Sequence, residues 1–113
     1  MREKFHVEFL PEAVEFIENI NSKAREKILY NIRKTQFTND RQLFKKLTEN
    51  IWEFRTLFGN ICYRIFAFWD KTANDNVLVV ATHGMIKKSE KIPRFELKKA
   101  EKVRLQYFKQ NDI

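Results

Sequence analysis

Residues 82–95, THGMIKKSEKIPRF, gather His83 with Lys87, Lys88, Lys91 and Arg94 directly after an apolar run, Val77 to Ala81. Histidine exchanges a proton near neutral pH. Lysine and arginine neutralise phosphate charge as it grows in a transition state. That combination suits RNA cleavage by the RNA's own 2′-hydroxyl, which needs proton transfer and charge stabilisation. Each residue also has a plainer reading: His83 as a hydrogen-bonded core residue, and Lys87, Lys88 and Lys91 as solvated positive charges. Gly84, one of two glycines, lets the backbone bend or lets RNA approach closely.

A second pair of cations follows from strand register. IWEFR (Ile51 to Arg55) and ICYRIFAFW (Ile61 to Trp69) are aromatic and β-branched, as strands prefer. TLFGN separates them, and Gly59-Asn60 suits a two-residue hairpin turn. That turn sets Arg55 opposite Arg64. Directly opposed like charges destabilise a sheet, so an anion belongs between them, either Glu53 from the same face or a ligand phosphate. A loop one residue longer would put the arginines on opposite faces and remove the inference. Arginine suits the task because its planar fork binds two phosphate oxygens and stays charged.

Other chemistries find little to build on. The two histidines, His6 and His83, are far apart, and residues 77–100 hold no carboxylate constellation of two-metal nuclease type. With Cys62 the single cysteine, an internal disulfide is impossible, a cysteine zinc site has no ligands, and Cys62 reads as a small core residue. No glycine-rich phosphate loop or G-x-S-x-G elbow occurs. No metal and no cofactor is expected.

Positioning these residues falls to a simple succession of elements. FHVEFL (Phe5 to Leu10) alternates apolar and polar residues as a strand does. Pro11 opens a helix with Ala13, Phe16, Ile17 and Ile20 on one stripe. Ser22, as N-cap, starts a second helix to about Gln36, with Ala24, Ile28, Leu29 and Ile32 buried. TNDRQLFKKLTEN (Thr38 to Asn50) reads as a loop with a helical turn. After the hairpin, VLVVAT is a strand short enough to be buried on both faces, and Pro93 to about Lys109 forms a last helix through Leu97, Ala100, Val103 and Tyr107. The expected fold is a single α+β domain over residues 1–113. The last three strands form an antiparallel meander joined by the first strand, with helices covering one face and the other partly open.

Composition agrees with such a domain. The chain has 113 residues, 43% hydrophobic and 33% charged, with 11 Phe. Its net charge of +7 is concentrated late, where residues 83–113 carry nine basic against four acidic side chains. Such an excess suits a polyanion, or an acidic protein. The charged start, MREKFHVEFL, is unlike a signal peptide, and no apolar stretch approaches the roughly 20 residues that span a bilayer. A cytoplasmic protein without a membrane partner is expected.

IWEFR, YRIFAF and VVATHGMIKKSEKIPRFELKKAEKVRLQYF together resemble the RelE/HigB superfamily of bacterial toxins, specifically its phage-derived HigB-like branch. The likeness runs motif by motif over about residues 50–108, with Met85 standing where the branch usually has Phe. It implies a RelE-like fold: an N-terminal strand and helical hairpin packed on an antiparallel sheet, with a C-terminal helix. It also implies the toxin of a type II toxin–antitoxin pair, held by a helix-turn-helix antitoxin, that cleaves mRNA on the ribosome without a metal. By the resemblance Arg55 and Arg64 hold the scissile phosphate, while His83, Lys87 and Lys88 serve proton transfer and charge stabilisation. Lys91 and Arg94 then contact RNA. Two rivals share the fold: a ParE-like inhibitor of DNA gyrase that cuts nothing, and a degenerate toxin acting only as an antitoxin-binding module.

Overall fold

A computed structural model describes residues 2–72, 77–87 and 91–111. The elements, in chain order, are β1 (His6–Phe9), α1 (Pro11–Glu18), α2 (Ser22–Thr35), β2 (Phe44–Lys46), β3 (Trp52–Phe58), β4 (Ile61–Asp70), β5 (Leu78–Lys87) and α3 (Arg94–Asn111). The fold is α+β. Five strands form one mixed sheet in the order β1-β5-β4-β3-β2. The meander β3-β4-β5 is antiparallel as expected, whereas β1 joins β5 in parallel, with His6 beside Leu78 and Phe9 beside Ala81.

Pro11 stands at the start of α1, where its missing N–H has no helical partner to lose. The α2 cap is Asn21 rather than Ser22: its side chain accepts from the N–H groups of Lys23 and Ala24. Ala24, Ile28 and Ile32 are buried, but Leu29 lies 42% exposed on the outer side of the helix. Two further expectations change. Thr38 to Asn50 does make a turn, in which Asp40 O accepts from Leu43 N and Phe44 N, but it continues into a three-residue edge strand, β2, paired with Phe54, Glu53 and Trp52. And β5 does not stop before His83; it continues to Lys87.

Helices lie on both faces of the sheet. On one, Ala13, Ile17, Ala24, Ile28 and Ile32 from the helical hairpin meet Tyr63, Ile65, Ala67, Val79 and Ala81. On the other, Ala100 and Leu97 of α3 meet Phe66, Phe68 and Val80. One α3 end is held by Tyr107, whose hydroxyl donates to Asp70 Oδ2 at 2.7 Å. Burial pushes the Asp70 carboxyl up, but hydrogen bonds from Thr72 and Tyr107 outweigh it and hold the group below its ordinary range. The described helices include none long and apolar enough to cross a membrane.

Candidate functional site

The hairpin turns at Gly59 and Asn60, both with positive φ (59° and 62°), the geometry a two-residue primed turn demands. Arg55 therefore faces Arg64 across β3 and β4. Arg55 gives its N–H to Leu43 O on the β2 side, so the arginines form a non-hydrogen-bonded pair, the closer kind, with Cα atoms ~4.5 Å apart. Repulsion between them is met by Glu53, whose carboxylate pairs with Arg64 while both side chains are almost fully buried. Arg55 is half-buried and forms none of the ion pairs found among the described residues. Its Nε is sealed from water and has no hydrogen-bond partner among them.

The alternation of β5 is broken once. Phe66 pairs with His83 and Ala67 with Ala81, leaving Thr82 as an extra residue. This β-bulge turns Thr82 and His83 toward the same face, the one α3 covers. Its effect is that Glu53, Phe66 and His83 form one row across the sheet. Arg55, Arg64 and Met85 form the next, and Leu57, Cys62 and Lys87 a third. Arg55, Arg64, His83 and Lys87 thus share a face, on three adjacent strands.

Within that face the residues differ in access. His83 is 2% exposed and lies against Phe66, with ring centroids 4.9 Å apart. Its Nε2 is 3.0 Å from Glu96 Oε1 and its Nδ1 2.9 Å from Thr82 Oγ1. A carboxylate only accepts, so Nε2 carries the proton and donates to Glu96, and Nδ1 accepts from the Thr82 hydroxyl. Burial lowers the His83 pKa, and the hydrogen bond and charge of Glu96 only partly restore it. The neutral imidazole has both nitrogens engaged and acts on the fold by fastening the first turn of α3 to β5.

Gly84 has a packing reason. A side-chain carbon there would come within 2.3 Å of the Phe16 ring on α1. The close approach is thus made by the protein's own ring, on the face away from the arginines. Lys87 ends β5 half-buried beside Cys62, and Cys62 is likewise half-buried rather than enclosed. Lys91 and Arg94 are exposed, Arg94 as the first residue of α3. The positive end of the α3 dipole adds to their charge, an arrangement favourable to an anion. Lys88 lies outside the described residues. Glu96 was missed by sequence reasoning, although an acidic residue in a helix's first turn is a signal for a local partner.

The model of the phage-derived Gp49-like protein family (DUF891) matches residues 15–105. The chain belongs to this family. No curated protein matches it. In this Gp49-like protein the matched span includes every residue of the shared face, from Glu53 to Lys87, and the α3 turn that carries Arg94 and Glu96.

Proposed function

We propose that this Gp49-like protein is a toxin of the RelE/HigB type that cleaves mRNA on the ribosome and is restrained by a helix-turn-helix antitoxin. Membership of a phage-derived family accords with a toxin-like role. The observation that carries the reading is the convergence of Arg55, Arg64, His83 and Lys87 on one sheet face.

In the proposed reaction the RNA 2′-oxygen attacks the adjacent phosphorus, the bond to the 5′-oxygen breaks, and a 2′,3′-cyclic phosphate and a 5′-hydroxyl result. Arg55 and Lys87, the accessible cations, contact the phosphate oxygens and stabilise their growing charge. Arg64, paired with Glu53 in the interior, stands directly across the sheet from Arg55 and backs the site. His83 takes part in proton transfer only if Thr82 or Glu96 releases it, so its resting role is positioning. Lys91 and Arg94 extend the cationic surface along the RNA, and Lys88, outside the described residues, is assigned to charge stabilisation on the family resemblance alone. The internal pairing of Arg64 and His83 favours one rival, a module that binds its antitoxin and cuts nothing.

The test is induction in a bacterium with mapping of mRNA 5′ ends, comparing the native chain with Arg55→Ala and Lys87→Ala. New 5′ ends that vanish in both variants support the reading. Growth arrest with intact mRNA and gyrase trapped on DNA would replace it by the ParE-like one. Arrest or antitoxin binding indifferent to both substitutions would leave only the binding module.

A further inference from the structure

On the opposite face of the sheet from the arginines, between β2 and the C-terminal end of α2, lies a cavity of about 470 Å³. That is within the range of roughly 300–1,000 Å³ typical of small-molecule sites. Phe5, Phe44, Trp52 and Trp69 line it, and their rings pack on one another, with centroids 4.9 Å apart for Phe44 and Trp52 and 5.6 Å for Trp52 and Trp69. Both tryptophans of the chain are therefore here. Lys4 and Arg41 stand at its rim, both exposed.

Three properties of the cavity call for one kind of ligand. Its aromatic wall offers a stacking surface to a planar ring, an interaction worth about 1–3 kcal/mol for a nucleobase. The Trp69 Nε1 hydrogen is sealed from water and has no acceptor among the described residues, so the wall carries an unmade hydrogen bond. Two cations at the mouth suit an anion. Asp40 also lines the cavity, but its Oδ1 accepts from Gln42 N at 2.9 Å and so shapes the turn. A neutral aromatic would satisfy the wall but not the charge at the mouth, where Lys4 also donates to Asn39 Oδ1; a simple anion would do the reverse.

We propose that this cavity binds a nucleotide, its base against Trp52 and Trp69 and its phosphate at Lys4 and Arg41. The ligand is either a free nucleotide or one nucleotide of a single strand, and the site is independent of the cleavage reading. Because both tryptophans line the cavity, tryptophan-selective fluorescence of the folded chain reports on it. Titration with adenosine 5′-monophosphate, corrected for absorbance, is expected to quench saturably, with adenosine weaker by about tenfold for want of the phosphate contact. Arg41→Ala should weaken the monophosphate toward the level of adenosine without changing the thermal midpoint, Lys4 retaining part of the phosphate contact, and Arg55→Ala should leave binding unchanged. Tighter binding of a short oligoadenylate than of the monophosphate assigns the site to single-stranded RNA, and equal binding assigns it to the free nucleotide. Absence of saturable quenching, or equal affinity for adenosine and its monophosphate in the native chain, overturns the proposal.

Discussion

Arg64→Ala should damage the fold before it damages any chemistry. The Arg64 and Glu53 side chains are 4% and 1% exposed, so removing the guanidinium strands a carboxylate in the interior. Breaking a buried pair from one side costs about 3–5 kcal/mol. Relief of repulsion with Arg55 offsets a little of that, which places the expected loss near 3 kcal/mol. With a urea dependence of roughly 1.5 kcal/mol per molar, the unfolding midpoint should fall by about 2 M. Replacing both partners, Glu53→Leu with Arg64→Met, removes the stranded charge and should recover most of the loss, since such exchanges are often neutral. Unfolding followed by tryptophan fluorescence measures both. If the single variant loses under about 1 kcal/mol, or the double is no better than the single, the pair is not the internal strut described here. The double variant then also separates roles: folded but without the Arg64 charge, it shows whether RNA cleavage needs that charge.

Gly84→Ala should destabilise by about 1–3 kcal/mol, because the new carbon meets the Phe16 ring at 2.3 Å and α1 must shift. Adding Phe16→Ala should make the glycine substitution nearly neutral, a coupling that a double-mutant cycle in urea reads directly. The His83 imidazole, surrounded by Glu96, Lys99 and Glu12, has a folded pKa below its ordinary 6.5, burial being the main cause. The unfolded chain therefore takes up the proton first. The contribution of His83 to stability is full above pH 6.5 and declines as pH falls from there toward the folded value. Midpoints measured across that window should drop, and His83→Gln should flatten the slope. A midpoint that rises on acidification contradicts the assignment.

What the sequence made legible followed from local rules. Gly59-Asn60 has one short turn available to it, and once the turn is set, the facing of Arg55 and Arg64 is arithmetic. Pro11, the stripe of Ala24, Ile28 and Ile32, and the α3 stripe through Ala100 are equally local signals. The misses are non-local. β2 is three residues long and exists only because Trp52, Glu53 and Phe54 offer it an edge. In a strand buried on both faces, such as Val79 to Ala81, alternation carries no facing information, so the bulge at Thr82 and the orientation of His83 left no trace. Glu96 reaches His83 from another element, and the parallel entry of β1 depends on which edge of the sheet remained unpaired.

That parallel entry has a consequence for the order in which the molecule is made. β1 pairs with β5, and Phe16 of α1 rests on Gly84 of the same strand. Emerging from a ribosome, β1 and α1 therefore lack their strand partner until β5 has followed, although α2 can already dock on β3, where Asn31 bonds to Thr56, and pairing across so long a separation is slow. β1 and α1 precede β5 by about 60 residues in the chain and cannot be seated before it. For a chain proposed to be poisonous, ripening is thereby postponed until β5 has been made.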